Sequence, residues 1–274
     1  MRKRKKIRRS SLAALATASL LAGPVAAACS SGPTYEDWAA TDGAAGRINL
    51  DEVQDAFKKS DSATDFEKRV NEIYEGDGIV LIRSKQDGET LVLEGWEDLN
   101  KSKEIDDQDD MLFEVVKDTN NRHEMRGHGA NGYYCSHFGA GDFLFTYMLI
   151  SAMSPRGYYY STPINRYDTI NSNRTNYRNS SNYRSQVTKN SNYFSRQKAY
   201  SGSSYTNASK STSASRNTYL NSQKSSGAFK SSGTGVRSSW GSSSGSSRTS
   251  ASSGGFRGGG GGAKVIGFVR PSQR

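Results

Sequence analysis

The chain has 274 residues, of which 34% are hydrophobic and 23% are charged, and its formal net charge is +10. The length allows one or two domains, and this composition favours one compact domain joined to unstructured sequence. The charge is unevenly placed: residues 30–126 hold 25 acids and 12 bases, whereas residues 127–274 hold two acids and 18 bases. We therefore expect an acidic body followed by a basic C-terminal part.

The first 28 residues have the composition of an export signal. Seven Lys or Arg lie before residue 12, and an apolar run over residues 12–28 ends in small residues before Cys29. This order predicts a signal peptide over residues 1–28. An uncleaved membrane anchor is the alternative, although 17 residues interrupted by Pro24 are short for a spanning helix.

The junction at Ala27, Ala28 and Cys29 resembles the signal of bacterial lipoproteins. The resemblance implies that Cys29 is lipidated, that residues 29–46 form a tether, and that the membrane holds the protein through this lipid. Position 30, directly after the cysteine, is serine rather than aspartate, which resembles lipoproteins that are sent to the outer membrane. Ala26 stands where the family has Leu, Val or Ile, which leaves ordinary cleavage after Ala28 open; a disulfide between Cys29 and Cys135 is then possible.

Two short helices are predicted next. Asn49 with Glu52, and Thr64 with Glu67, have the spacing of capping boxes, in which a side chain and the backbone satisfy each other at a helix start. An apolar stripe follows each cap, and both stripes are typical of helix faces packed on a core. The stripe residues are Leu50, Val53, Ala56, Phe57, Phe66, Val70, Ile73 and Tyr74.

Three strands are predicted after the helices. "GIVLIRS" and "TLVLEGW" flank the turn signal Asp87-Gly88, and "MLFEVVKD" over residues 111–118 alternates again. The pattern predicts an α+β fold, with an ααβββ body over residues 47–126 and an antiparallel sheet.

The loop over residues 98–109 carries the strongest chemical pattern in the chain. Its oxygen-bearing residues alternate as in an EF-hand-like or dockerin-like calcium loop, and such ligands suit a hard cation. Lys103 replaces the usual glycine and Asp109 replaces the longer glutamate, so a solvated acidic loop is favoured over a weak Ca²⁺ or Mg²⁺ site. The candidate ligands are Asp98, Asn100, Ser102, Glu104, Asp106 and Asp109.

Residues 127–170 form a glycine-rich and aromatic segment. Its apolar run over residues 143–153 is too short to cross a bilayer, so it packs on the body, lies at the membrane interface or mediates self-association. His128, Cys135 and His137 match no strong zinc spacing. Cys135 with His137 is retained as an alternative enzyme site, but the favoured interpretation is that the protein is not an enzyme.

The segment over residues 171–274 is built from Ser, Asn, Gly, Arg and spaced Tyr, and this composition predicts a disordered basic tail. Its expected partners are anionic: lipopolysaccharide, wall polymer, released DNA or the acidic body itself. Nucleic acid inside the cell is disfavoured by the export signal. The sequence determines neither the oligomeric state nor a cofactor beyond the candidate Ca²⁺.

The order of leader, lipidated cysteine, small body and Tyr/Ser/Arg tail with "SSRTSASSGGF" resembles small bacterial lipoproteins of unknown function, such as the UPF0323 and DUF1190-like groups. The resemblance implies a location in the cell envelope and provides no catalytic residues. We therefore expect a non-enzymatic envelope lipoprotein with a structural, adhesive or assembly role. The alternatives are a weak cation-binding module at residues 98–109 and an envelope enzyme using Cys135 and His137.

Overall fold

The computed structural model describes residues 35–87, 90–117, 122–139, 144 and 158–227. Several predicted features lie outside these residues. They are the signal peptide, Cys29, the apolar run over residues 143–153 except Leu144, and the tail beyond residue 227.

Three helices begin the described chain: α1 (Tyr35–Ala39), α2 (Leu50–Lys59) and α3 (Ala63–Ile73). The cap predicted for α2 is confirmed, since the Asn49 side chain accepts a hydrogen bond from the Glu52 amide at 3.2 Å. The cap predicted for α3 is displaced: Ser62, not Thr64, accepts from the Asp65 amide at 3.1 Å. Ser62 has the extended backbone that a cap needs, so α3 begins at Ala63, two residues before the start that a cap at Thr64 would give.

Within the described residues, six strands form one antiparallel sheet in the order β5-β4-β3-β2-β1-β6. The α+β class and the antiparallel sheet are thereby confirmed, with twice the predicted number of strands. Asp87 pairs with Thr90, so β1 and β2 form the expected hairpin. The strands are β1 (Ile79–Asp87), β2 (Thr90–Asp98), β3 (Asp110–Lys117), β4 (His123–Gly127), β5 (Cys135–Phe138) and β6 (Tyr158–Ser161).

The helices α2 and α3 cover one face of the sheet. Alternate residues of the strands, such as Val80, Ile82 and Leu93, form the main core with the apolar stripes of these helices. On the opposite face of β1, Ile79 and Leu81 pack against two residues from the C-terminal part of the chain. The first half of β1 is therefore buried on both sides.

Three further helices follow the sheet: α4 (Ile164–Arg178), α5 (Ser181–Ser209) and α6 (Ala214–Ser226). The disorder predicted from Asn171 onward is therefore wrong for residues 171–226. These helices bury aromatic side chains in place of aliphatic ones: Tyr183, Tyr193, Phe194 and Tyr205 join the main core. Residues 228–274 lie outside the described residues.

The predicted limits of the body are also corrected. Trp38 is fully buried, so the ordered chain begins inside the segment predicted as a tether over residues 29–46. At the other end, β5 and β6 extend the sheet into residues 127–170. Both strands have four residues, which is too short for a clear alternation, and β6 forms by pairing with the distant β1.

Candidate functional site

The loop over residues 98–109 connects β2 to β3 and is closed by its own carboxylates. Asp98 accepts hydrogen bonds from the amides of Ser102 at 3.1 Å and Lys103 at 3.0 Å. Asp109 accepts from the amides of Leu99 at 3.2 Å and Asp106 at 3.1 Å. Both carboxylates are buried, and these bonds replace the water that burial removes.

Lys103 occupies the position where a calcium loop usually has glycine. Its φ of 68° lies in the left-handed region, so the sharp turn forms despite the side chain. The Lys103 ammonium contacts Asp168 of α4 at 3.1 Å. The turn geometry of the loop therefore agrees with the predicted calcium pattern at this position.

The other candidate ligands also bond within the loop. Asn100 donates to Asp106 at 2.9 Å, and the Ser102 hydroxyl donates to the Glu104 carbonyl at 2.8 Å. Within the described ranges, no group of three or more His, Cys, Asp or Glu residues is arranged to hold a metal ion. The structure thus brings the six candidate ligands into one loop, where internal hydrogen bonds occupy many of their oxygens.

Asp109 has the most perturbed carboxyl group of this loop. Burial raises its pKa to about 7, and the charges of Asp98 and Asp106 act in the same direction. In contrast, a hydrogen bond from Asn100 lowers the pKa of Asp106. Asp109 therefore titrates far above its neighbour in the same loop.

We predict that Asp109→Asn changes the pH dependence of stability. The raised pKa favours protonated Asp109 in the folded state, so its stabilising contribution is present below about pH 4 and is lost as the pH rises through about 7. The stability of the variant relative to the unmodified protein should therefore rise over that range. Urea unfolding at a series of pH values measures this difference. Asp107→Asn, in the exposed part of the loop, is the control, and equal pH profiles for the two variants would contradict the prediction.

Cys135 is a free, exposed thiol on the edge strand β5. It donates a hydrogen bond to Glu124 at 3.2 Å, and His137 lies 3.8 Å from the other oxygen of the same carboxylate. A hydrogen bond from Arg126 holds the pKa of Glu124 at about 2, so Glu124 stays ionised. Partial burial, together with Glu124, raises the pKa of Cys135.

This geometry is unfavourable for both the candidate enzyme site and the candidate zinc site. A thiol kept protonated beside a carboxylate is a weak nucleophile, because the thiolate is the reactive form. His128 contacts Glu114 at 3.4 Å, whereas Cys135 and His137 contact Glu124. The three candidate zinc ligands are therefore engaged by two different carboxylates.

No protein-family model, curated protein or solved structure matches the chain. None of the described helices is long and apolar enough to cross a membrane.

Arginines of α4 form a docking contact that the sequence reasoning missed. Arg174 donates to the carbonyls of Asp77, at 2.7 Å, and Gly78. Arg178 donates to the carbonyls of Tyr74 at 3.0 Å and Gly76 at 2.9 Å. These carbonyls lie in the connection between α3 and β1, so the two guanidinium groups satisfy backbone acceptors that are in neither a helix nor a strand.

A buried carboxylate joins α3 to β6 and α4. Glu67 is fully buried, and it accepts hydrogen bonds from Tyr160, from Thr162 at 2.8 Å, and from Arg166. Burial raises the pKa of Glu67 although these three donors oppose the shift. The Arg166 contact compensates the cost of burying this group and ties α4 to the body.

The helix α5 docks through amides. Asn190 is buried and donates to the Ile73 carbonyl at 2.9 Å and to Glu75 at 2.7 Å. Arg69 of α3 donates to Gln186 at 2.6 Å. At the edge of this contact, Lys189 pairs with Glu52 at 3.1 Å. The polar residues that suggested disorder are therefore the residues that specify how α5 packs.

The helix α6 inserts one arginine into the body. Arg216 is 1% exposed and pairs with Glu97 and, at 3.0 Å, with Asp110. Gly46 adopts a φ of 73°, and a Cβ atom there would lie 2.5 Å from the Arg216 guanidinium. Glycine at position 46 thus provides both the left-handed turn and the space for Arg216. A sequence signal for these contacts exists only in the opposite charges of the two halves of the chain.

Proposed function

We propose that the protein is a non-enzymatic lipoprotein of the bacterial cell envelope, with a structural, adhesive or assembly role. The supporting observation is the short separation in sequence between Cys29 and the folded domain. The folded chain includes Tyr35, so only residues 30–34 separate Cys29 from the first described helix. A lipid on Cys29 would therefore hold the α+β domain directly beside a membrane.

In the described residues, the arrangement of charge supports a rigid structural domain rather than a flexible adhesive chain. Basic residues of α4, α5 and α6 pair with acidic residues of the body; the Arg216–Glu97 pair is buried, and Arg166 reaches the buried Glu67. The helices are thereby held in defined positions on the sheet. Ser30 favours the outer membrane as the site of attachment, and the basic residues beyond Gly227 favour anionic envelope partners.

We predict that a fatty acid is attached to Cys29. Cells grown with an alkyne-bearing fatty acid should give a labelled protein, and mass spectrometry should place the acyl groups on an N-terminal Cys29. Cys29→Ser should lose the label because the acceptor thiol is removed. Cys135→Ser is the matched control, since the chain has two cysteines, and it should keep the label. An intact chain in the soluble fraction that retains Met1 and carries no label would overturn the proposal.

Cation binding by residues 98–109 is the second candidate function. The observation in its favour is that the loop turns at Lys103 as a calcium loop does and holds Asp109 in a buried position beside other carboxylates. Burial, together with the charges of Asp98 and Asp106, raises the pKa of Asp109 to about 7. A cation held there would displace the Asp109 proton near neutral pH. Calcium titration of the Cys29→Ser chain by calorimetry, in buffers with different heats of protonation, tests this. An absence of heat at millimolar calcium would exclude the site.

A further inference from the structure

A cleft of about 500 Å³ lies between the loop over residues 98–109 and the helix α6. Residues 99–101 and 107–108 form one wall, and a stripe of α6 between Ala214 and Gln223 forms the other. We call this space the loop–α6 cleft. Protein sites for small ligands have volumes of about 300–1,000 Å³, so the cleft is large enough for a small organic molecule.

Both walls of the loop–α6 cleft are held in place. Arg216 is 1% exposed and anchors α6 in the body through two carboxylates. The Ser215 hydroxyl donates to the Asp107 carbonyl at 3.1 Å, which joins the two walls directly. The Tyr219 hydroxyl donates to Asp77 and so orients the ring on the α6 wall. A cleft that is formed in advance spares a ligand the cost of ordering its site.

The charges of the lining favour a neutral ligand. Among the described residues that line the cleft, Lys101 and Asp107 are the charged ones, and their charges have opposite signs. A phosphate or carboxylate ligand is usually held by an excess of cationic side chains, and a metal cation by an excess of carboxylates. The loop–α6 cleft has neither excess.

The other polar groups of the lining are amides and hydroxyls. Asn100, Gln108 and Gln223 provide amides, and Thr218 and Ser222 provide hydroxyls. The side chains of Gln108, Ser222 and Gln223 have no hydrogen-bond partner among the described residues, so they are available to a ligand. Amides and hydroxyls both donate and accept hydrogen bonds, as the hydroxyl groups of a sugar require.

Apolar surface completes the loop–α6 cleft. Leu99, Ala214 and the Tyr219 ring lie among the polar groups. A sugar presents hydroxyl groups at its edge and C–H groups on its faces, and C–H groups pack on an aromatic ring because the face of the ring is negative. The cleft thus offers a partner to both parts of a sugar.

We infer that the loop–α6 cleft binds a small neutral saccharide. The available amides and hydroxyl bond the sugar hydroxyls, and Tyr219 with Leu99 packs against the C–H groups. This inference goes beyond the proposed function, because the cleft requires neither the lipid on Cys29 nor a location in the envelope.

Nuclear magnetic resonance titration of the nitrogen-15-labelled mature Cys29→Ser chain tests the inference. The probes are three neutral disaccharides: maltose, lactose and di-N-acetylchitobiose. At least one should shift the amide signals of residues 99–101, 107–108 and 218–223, and it should bind more tightly than glucuronate or glucosamine, which are charged. Because this chain carries no lipid, the result is independent of the labelling of Cys29.

Three outcomes would overturn the inference. One is the absence of any shift with all three disaccharides at about 10 mM, a concentration that would fill most of a millimolar site. Another is a set of shifts confined to residues outside the two walls. The third is tighter binding of glucuronate or glucosamine than of every neutral sugar.

Variants of α6 separate a specific site from general surface contact. Gln223→Ala should weaken sugar binding about fivefold, because it removes one amide that bonds the ligand. Ser222→Trp should weaken binding at least about tenfold, because the indole occupies the cleft. Asn221 is exposed on the same turn and does not line the cleft, so Asn221→Ala and Asn221→Trp are the matched controls.

Each control should change the affinity for the sugar less than about twofold, since Asn221 makes no contact with the cleft. Circular dichroism establishes that each variant is folded, and Gln223→Ala against Asn221→Ala decides the matter if a tryptophan variant does not fold. Equal losses of binding within a matched pair would overturn the inference.

Discussion

Replacing Arg216 by methionine is expected to lower the free energy of unfolding by about 3–5 kcal/mol. The substitution removes the cation that faces Glu97 and Asp110 and leaves a fully buried carboxylate without its ion partner. Removing one partner of a buried pair is costly because the remaining charge has lost both its water and its ion partner. At Glu97 the hydrogen bonds from Tyr74 and from the Gly78 amide remain. Since a domain of ordinary stability has about 5–15 kcal/mol, the variant should be close to unfolding.

Urea unfolding of the Cys29→Ser chain measures this effect. Arg196→Met is the matched control, since Arg196 pairs with Asp51 on the surface at 3.3 Å and should contribute less than about 1 kcal/mol. The double variant Arg216→Met/Glu97→Gln should recover part of the loss, because the second change removes the isolated charge. Similar small effects for Arg216 and Arg196 would contradict the buried arrangement of α6.

Ending the chain after Thr162 is expected to abolish cooperative folding. This truncation keeps all six strands but removes α4, α5 and α6. It uncovers Ile79 and Leu81 on one face of β1 and removes Tyr193 and Phe194 from the main core. It also leaves Glu67 and Glu97 without the arginines that pair with them. Circular dichroism should show no sharp thermal transition.

A chain that ends after Gly227 is the control for this truncation. It keeps every described element, so its midpoint of thermal unfolding should lie within a few degrees of the full-length value. A chain ending after Thr162 that unfolds sharply at the same midpoint would show that the body is stable alone. The C-terminal helices would then be an appendage rather than part of the core.

Local patterns predicted the first half of the fold. The correctly predicted features each depend on residues within a few positions of one another. They are the Asn49 cap, the apolar stripes of α2 and α3, and the strands β1 to β3. The sign of charge in each half also follows from the sequence alone. By contrast, the cap of α3 was misplaced by two residues, because Ser62 and Thr64 are both acceptable caps in sequence.

For the candidate sites too, the sequence predicted the local arrangement of residues but not their contacts in the folded chain. Alternating oxygen-bearing residues placed the six loop ligands on one short segment, and the structure keeps them in one loop. The sequence did not predict that the loop amides would occupy Asp98 and Asp109, because that depends on the backbone path. Nor did it predict that Cys135 and His137 would share Glu124, which lies on the neighbouring strand β4.

The sequence by itself predicted the antiparallel α+β class and determined the opposite charges of the two halves of the chain. Only the tertiary structure decided that residues 171–226 are helical and packed. These helices have no aliphatic stripe, and apart from Ile170 and Phe194 their buried residues are Tyr, Asn, Gln and Arg. Such residues are favourable inside a protein only where partners meet them, and the partners of Arg216 lie more than 100 residues away in the chain. A local pattern cannot contain that information, because the environment that stabilises each helix exists only after the sheet has formed.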